Sequence, residues 1–199
     1  WNAKWESNYP PVIHKDYVIR APFHDPFPEI KYEVIINPKM SFGTGHHETT
    51  SLIIDEMLIL DFNNKSILDV GTGTGVLSIL ASKLGAREIV GIDCDALAVE
   101  NAKENARLNN IANIHFIQQS SNNIGYSNYD IFLVNINRNI ILNDIEHYVT
   151  VMRSSSRILL SGFLKEDVPL ILKKTEQLAL ELVVLKNKNK WQMLHLKKV

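Results

Sequence analysis

A glycine-rich stretch constrains the fold of this 199-residue chain more than any other feature. It reads Leu68-Asp69-Val70-Gly71-Thr72-Gly73-Thr74-Gly75. The apolar run over 66–70 predicts a buried strand, and the pattern over 76–84 predicts a helix that ends at Gly85. Glycines at such a join let the backbone turn tightly and let a ligand approach it without interference from Cβ atoms. The stretch therefore predicts a strand–turn–helix unit with a ligand site at the carboxyl end of the strand.

Predicted helices and strands alternate through the rest of the chain. Apolar side chains recur at helical spacing in four further segments: 49–62, 96–108, 140–152 and 166–178. Short apolar runs predict strands at 88–92, 114–117, 131–136 and 157–163, and a final hairpin at 181–185 and 191–196. Continuous apolar strands separated by helices are typical of a parallel sheet that helices cover on both faces. We therefore predict an α/β, doubly wound, mostly parallel seven-stranded sheet with an antiparallel C-terminal hairpin.

Residues 1–45 differ from the remainder in composition. They hold six of the seven prolines and two short extended runs, Tyr17–Ala21 and Tyr32–Ile36. Such runs predict edge strands or a loose hairpin. Because the segment has no amphipathic helix, we interpret it as a linker or flap that packs on the main body. Residues 46–199 are predicted to form the ligand-binding domain.

The spacing of the glycines argues against a dinucleotide ligand. The dinucleotide fingerprint GxGxxG would need a glycine where the chain has Val76. A pyrophosphate also needs a helix N-terminus kept clear for an anion, whereas Asp69 adds a negative charge. The amino acid end of S-adenosyl-L-methionine carries an ammonium that Asp69 would attract, so this cofactor is favoured, with Gly71, Gly73 and Gly75 in its binding turn. Taken alone, the turn is also compatible with a purely structural role.

Two polar side chains follow at the ends of later strands. Asp93 lies 22 residues after Gly71, and an acid about 20 residues beyond a glycine turn can accept hydrogen bonds from ribose hydroxyls. Asp95 is then predicted to cap the next helix. Asn135 ends another strand, where its amide can accept from an incoming amine and donate to the cofactor. Asn135 is therefore the candidate catalytic residue, although the same residue type also forms turns.

At these positions the sequence resembles the class I S-adenosylmethionine-dependent methyltransferases, whose pattern matches 69–75, Asp93 and Asn135. A more specific resemblance is carried by Phe42-Gly43-Thr44-Gly45-His46-His47-Glu48-Thr49-Thr50. This stretch looks like the signature loop F-G-T-G-x-H-x-T-T of the ribosomal protein L11 lysine methyltransferases. Segments 1–5, 19–22, 36–38 and 160–164 are similar to that family as well, so the resemblance covers nearly the whole chain.

The resemblance implies methyl transfer from S-adenosyl-L-methionine to lysine side chains, to an N-terminal α-amine, or to both, with ribosomal protein L11 as the expected substrate. It implies cofactor contacts at Thr50, Gly71, Asp93 and Asn135. We expect the glycine-rich loop that contains Phe42, with the hydroxyls of Thr44, Thr49 and Thr50, to close over the cofactor. Asn137-Arg138 depart from the family, which usually has small or apolar residues there, so the substrate pocket is not specified. The family also carries an additional N-terminal domain, so we expect the chain to be a fragment or to hold its substrate differently.

Charge and residue type bear on three other functions: nucleic-acid binding, methylation of nucleic-acid bases, and cofactor binding without catalysis. The net charge is −1, whereas a protein that binds nucleic acid usually presents a basic face. We therefore expect no direct nucleic-acid binding, and we interpret the basic cluster Lys186, Lys188 and Lys190 as a solvated hairpin tip. A methyltransferase acting on nucleic-acid bases would need aromatic residues after Asn135, and Ile136 is not aromatic. A non-catalytic module that only binds the cofactor is the other alternative.

Three further expectations follow from residue usage. No apolar run approaches the ~18 residues of a membrane span. A single cysteine, Cys94, excludes an internal disulfide and a multi-thiolate metal site. Adjacent His46 and His47 point apart and no third ligand is evident, so no metal site is predicted. Together these features predict a cytoplasmic protein.

Overall fold

The computed structural model of the chain describes residues 9–38, 45–125 and 128–199. Within these ranges the strands are β1 (Val12–Ile13), β2 (Tyr17–Arg20), β3 (Tyr32–Ile35), β4 (Ser66–Val70), β5 (Glu88–Asp93), β6 (Ile114–Gln118), β7 (Tyr129–Asn135), β8 (Met152–Leu164), β9 (Leu180–Lys188) and β10 (Trp191–Lys198). The helices are α1 (Glu48–Met57), α2 (Val76–Lys83), α3 (Ala96–Leu108), α4 (Arg138–Thr150) and α5 (Val168–Glu176), and a 3-10 turn (Lys165–Asp167) precedes α5.

The main sheet has seven strands in the order β6-β5-β4-β7-β8-β10-β9. β4 is parallel to β5 and β7, while β10 is antiparallel to both β8 and β9. The predicted fold class is therefore confirmed. The chain winds outward from β4 to β6 and then returns to the other side of β4 with β7. This reversal opens a crevice at the carboxyl ends of β4 and its neighbours, where doubly wound folds bind ligands.

The core consists of two layers, one on each face of the sheet. On one face α1 and α2 pack over strand residues such as Ile67, Ile131 and Leu159. On the other face α4 and α5 pack over the alternate residues, such as Leu68 and Phe132. Burial on both faces explains why these strands read as continuous apolar runs. Among the described residues, no helix is long and apolar enough to cross a membrane.

β8 is longer than the predicted 157–163 because it contains a bulge. Met152 pairs with Tyr129, but regular pairing with β7 resumes only at Arg157. In between, Ser155 has a left-handed backbone with φ of 69°, and the Ser156 hydroxyl donates to the Tyr129 carbonyl at 2.7 Å. A hydrophobicity pattern does not show a polar bulge of this kind, because the bulge residues lack the apolar side chains that mark a strand.

The N-terminal segment forms a separate small sheet with the order β1-β2-β3. Both extended runs are strands, but β2 and β3 are parallel, so the hairpin alternative was wrong. Residues 21–31 connect β2 to β3 and are long enough to bring the chain back to the start of a parallel strand. The Glu33 side chain stabilises this connection. Glu33 accepts hydrogen bonds from Arg20 at 2.7 Å and from the Phe27 amide at 3.0 Å. The hydrogen bond from Arg20 lowers the pKa of the Glu33 carboxyl below its usual range.

Asparagine side chains attach this small sheet to the main domain. Asn109, just after α3, accepts from the Ile35 amide at 2.9 Å and donates to the Ile35 carbonyl at 2.7 Å. Asn105 of α3 accepts from the Asn37 amide at 2.8 Å. The side-chain amides thus take the place of a neighbouring strand for the last residue of β3 and for the backbone that follows it.

Candidate active site

The glycine-rich turn connects β4 to α2 and forms the floor of the crevice. The amides of Gly71 and Thr72 both donate to the Ile92 carbonyl at 2.9 Å, which ties the turn to β5. Gly71 has a φ of 69°, and a Cβ atom added there would lie 2.4 Å from Ile136 Cγ2. The turn therefore needs glycine at 71 both for its left-handed backbone and for the close approach of Ile136.

Asp69 lies behind the turn rather than on the surface of the crevice. Its side chain accepts hydrogen bonds from the hydroxyls of Thr72 at 2.7 Å and Ser78 at 2.6 Å. The residue is 1% exposed, and burial raises the pKa of its carboxyl to about 6, although both hydroxyl hydrogen bonds act in the opposite direction. In this arrangement Asp69 fixes the shape of the turn and is shielded from a ligand above it.

Asp93 lies at the carboxyl end of β5 and faces the crevice. Its two carboxylate oxygens accept from the amides of Gly73 at 2.9 Å and Asp95 at 3.0 Å. A carboxylate offers about four acceptor positions, so each oxygen can accept one more hydrogen bond from a ligand. Asp95 accepts from the Leu97 amide at 2.9 Å, which confirms the predicted helix cap.

Asn135 lies at the carboxyl end of β7, on the other side of the turn. Its Nδ2 donates to the Thr50 hydroxyl at 3.3 Å, and Thr50 is fully buried in α1. Its Oδ1 is buried and has no hydrogen-bond partner among the described residues. Because buried acceptors in native proteins are almost always satisfied, this oxygen is open to a donor outside the described residues, such as a water or a bound molecule.

Ile136 is held between two glycines, and this contact fixes the backbone next to Asn135. Its side chain packs against Gly71, and its backbone packs against Gly162 of β8. Gly162 lies in the segment 160–164, which the family resemblance includes but which was not predicted to belong to the site. A glycine inside an apolar strand often marks a close backbone approach, and that signal could have identified Gly162.

The crevice is a cavity of about 630 Å³, within the range of roughly 300–1,000 Å³ that is usual for small-molecule sites. Of the predicted residues, Gly71, Gly73, Asp93 and Asn135 line it together. Thr50, Asp69 and Gly75 lie outside the lining. Phe42 and Thr44 fall outside the described residues. In the ranges that the structure describes, no group of three or more His, Cys, Asp and Glu side chains could hold a metal ion.

Two walls of the cavity were not predicted. One combines the start of α1 with the start of β10, where the His47 and Trp191 rings lie edge to face at 4.7 Å between centroids. The other combines the loop after β6 with α4, where the Ser121 hydroxyl donates to the Asp144 carboxylate. The rule that ligands bind beyond strand carboxyl ends applies to β6 as well and could have indicated the second wall.

The three lysines lie on the β9–β10 hairpin, and Lys188 and Lys190 are exposed as predicted. Lys186 is only partly exposed, and two of the three lysines also contact α1. Lys186 pairs with Glu56 of α1 at 2.6 Å. Lys188 donates to the Ser51 hydroxyl of α1 at 3.0 Å. Charge spacing alone could not show that the hairpin lies along α1. Lys190 contacts neither residue, and its Nζ lies 5.7 Å from the centroid of the Trp191 ring.

Arg138, a departure from the family pattern, braces the wall formed by α4. Its guanidinium pairs with Asp167 at 2.6 Å, in the 3-10 turn after β8. Asp167 is 8% exposed and also accepts from the Leu164 amide at 3.0 Å. The neighbouring Asn137 caps α4 through the Ile140 amide at 3.1 Å. The polar residues after Asn135 thus fix the start of α4 beside the cavity.

The sheet is doubly wound in this strand order, a glycine turn follows β4, and polar side chains end β5 and β7. These features define the chain as a class I S-adenosylmethionine-dependent methyltransferase. The crystal structure of ribosomal protein L11 methylase from Lactobacillus delbrueckii subsp. bulgaricus has the same fold. The superposition of the two structures covers 94% of this chain and 97% of the Lactobacillus protein, with a TM-score of 0.86 and 24% sequence identity.

Sequence comparisons identify the family within this class. The family model for ribosomal protein L11 methyltransferase (PrmA) matches residues 1–199. The ribosomal protein L11 methyltransferase of Phocaeicola vulgatus is 46% identical over 194 residues, and that of Bacteroides thetaiotaomicron is 45% identical over 194 residues. Each alignment covers 96% of this chain and 69% of the relative. The chain belongs to the ribosomal protein L11 methyltransferase family.

Proposed function

We propose that this chain transfers methyl groups from S-adenosyl-L-methionine to amines of a protein substrate, and that the substrate is ribosomal protein L11. The amines are lysine side chains, the N-terminal α-amine, or both. The observation that carries the proposal is the unsatisfied Oδ1 of Asn135 beside the glycine turn. An acceptor there suits an amine N–H, and the relatives in the family are named for L11 methylation.

The cavity wall supplies the groups that a sulfonium cofactor needs. The second acceptor positions of Asp93 would take the two ribose hydroxyls, and the backbone of Gly71 and Gly73 would lie against the cofactor. Behind them, Asp69 and Gly75 would support the turn, and Thr50 would orient Asn135. The loop that contains Phe42 and Thr44 would close over the bound cofactor. When bound, the cofactor supplies an electrophilic methyl group on sulfur.

Asn135 would hold the acceptor nitrogen in line with the methyl group. Oδ1 would accept one N–H of the neutral amine, which leaves the nitrogen lone pair directed at the reacting carbon. At pH 7, making a lysine amine neutral costs about 4.6 kcal/mol, whereas an α-amine costs about 1 kcal/mol. His147, the histidine nearest to Asn135 in the sequence, is not a lining residue, so the proton would pass to solvent as the amine enters the cavity. His47, which lines the cavity, is the alternative base.

We further propose that residues 1–45 act as a flap and residues 46–199 as the methyltransferase domain. The asparagine contacts that attach the end of β3 and the backbone after it to the C-terminal part of α3 and to Asn109 support a flap that packs on this domain. We also propose that the protein is cytoplasmic, because a ribosomal protein substrate would be met there.

Mass spectrometry after incubation with labelled S-adenosyl-L-methionine tests the proposed function. Ribosomal protein L11 and ribosomal RNA are offered in the same reaction. The proposal expects methyl groups on L11 amines and an unchanged RNA. Methylation of the RNA alone would identify a base methyltransferase. Cofactor binding by calorimetry with no methylation of either molecule would identify a non-catalytic binding module.

A further inference from the structure

Lys186, Lys188 and Lys190 of the β9–β10 hairpin occur at every second position, but their amines make different contacts. Lys186 pairs with Glu56, and Lys188 donates to Ser51, so both amines are engaged by α1. Asn189 has a left-handed backbone with φ of 54°, and its side chain donates to Glu48 at 3.1 Å. These contacts fix the hairpin tip beside the start of α1. Lys190 follows directly, exposed at the turn.

The Lys190 amine lies near Trp191, a residue of the aromatic wall of the cavity. Its Nζ is 5.7 Å from the centroid of the Trp191 ring, within the distance at which a cation is attracted to an indole face. Trp191 lines the cavity together with His47, whose ring it contacts at 4.7 Å between centroids. Lys190 is not itself a lining residue, so a change of side-chain rotamer would have to carry its amine past the Trp191 ring into the cavity.

The charge of the cavity favours entry of a lysine side chain. Asp93, Asp95 and Asp144 contribute carboxyl groups to the wall, and the described lining residues include no lysine or arginine. A cleft lined by one sign of charge concentrates ligands of the opposite sign. The tether adds to this effect, because a side chain anchored at the rim has a high effective concentration at the reacting carbon.

From this placement we infer that Lys190 is a site of self-methylation within the same molecule, an inference that rests on the proposed amine methyl transfer. The lone pair of Nζ forms a nitrogen–carbon bond to the methyl group of S-adenosyl-L-methionine while the carbon–sulfur bond breaks. The electron pair of that bond remains on sulfur, so S-adenosylhomocysteine leaves as a neutral thioether. The proton displaced from nitrogen passes to water. No further reactant is needed.

The test incubates the purified chain with S-adenosyl-L-methionine at alkaline pH and locates methyl groups by peptide mass spectrometry. We expect methyl groups on Lys190, at least about tenfold more than on Lys186 or Lys188. Lys190→Arg should remove the mass gain, whereas the matched variant Lys188→Arg should retain it. The rate constant per molecule should not depend on protein concentration. Methylation of Lys188 in preference to Lys190, or a rate constant that rises with protein concentration, would overturn the inference.

A parallel reaction with ribosomal protein L11 separates this inference from the proposed function. L11 methylated with Lys190 unmodified overturns the inference and leaves the proposed function intact. Neither substrate methylated overturns both. A second readout needs no cofactor: trace acylation of the protein should label Lys190 faster than Lys186. Equal or reversed labelling would show that Lys190 is no freer than a lysine paired with Glu56, and would contradict the placement.

Discussion

The backbone oxygen of Ile136 lies 2.1 Å from the position that a Cβ atom would occupy on Gly162. Gly162 also has a φ of 100°, a conformation that L-residues rarely adopt. Through this contact β8 sets the backbone that carries Asn135 into the cavity. A side chain at 162 must displace the end of β7 or distort β8.

Gly162→Ala should therefore lower both stability and methyl transfer. We expect a loss of at least roughly 1–3 kcal/mol in the free energy of unfolding, because the left-handed backbone is strained for alanine and the clash adds to it. Urea unfolding and turnover measure the two effects. Gly125→Ala is the matched control, since a Cβ atom there meets nothing within 4 Å. If the two variants were equally stable, the close contact between Gly162 and the Ile136 backbone would not contribute to stability, and the prediction would be wrong.

Asp93→Ala should weaken cofactor binding roughly tenfold to a hundredfold, because a hydrogen bond to a charged group contributes about 1.5–3 kcal/mol. Calorimetry with S-adenosyl-L-methionine measures the dissociation constant. As control, Asp61→Ala removes an exposed carboxylate that lies outside the cavity lining and should leave the affinity unchanged. An Asp93→Ala protein with unaltered affinity would refute the ribose assignment.

Asp69 should make the folded state less stable as the pH rises from about 4 to about 7. Burial raises the pKa of its carboxyl from 3.8 to about 6, so between these values the folded state binds the proton and the unfolded state does not. Stability then falls with rising pH, by about 3 kcal/mol for this group. Asp69→Asn lacks the titrating group, so the stability difference between wild type and variant should change by that amount across the range. A constant difference in urea unfolding would contradict the buried carboxyl.

Arg138→Ala should loosen the wall formed by α4. The arginine side chain is 42% exposed, so solvent screens the ion pair and we expect only about 1 kcal/mol of lost stability. Asp167 would keep its hydrogen bond from the Leu164 amide. The larger effect should be on kcat for L11, because the start of α4 follows Asn135 directly. Arg138→Lys should restore part of the rate, whereas a stability loss with no kinetic change would limit the pair to a structural role.

The order of helices and strands in the main domain followed from hydrophobic patterning, because parallel strands buried on both faces are continuous apolar runs. The pattern failed where polar groups determine the structure. The bulge at Ser155 and Ser156 and the parallel pairing of β2 with β3 depend on side-chain hydrogen bonds that periodicity does not report. At the site, residue spacing correctly brought Gly71, Gly73, Asp93 and Asn135 to one cavity. Residue spacing did not predict that the Asp69 side chain would lie behind the glycine turn and away from the cavity. The side chain of a residue near a turn can point to either face of that turn.

The wall formed by His47 and Trp191 illustrates the same limit at longer range. These residues are far apart in the sequence and meet because the β9–β10 hairpin lies along α1, where Lys188 contacts Ser51. No local signal near either aromatic ring predicts that contact. Such residues are identified only when the tertiary structure places them on a common surface.

The central claim is that Asn135 holds the reacting amine, and a comparison of Asn135→Ala with Asn143→Ala tests it most directly. Both amides line the cavity, but only Asn135 presents a buried oxygen without a partner among the described residues. With ribosomal protein L11 as substrate, Asn135→Ala should lower kcat and kcat/KM together by roughly tenfold or more. It should change the dissociation constant of S-adenosyl-L-methionine much less, and Asn143→Ala should leave kcat near the wild-type value. An Asn135→Ala enzyme with full turnover would contradict the account.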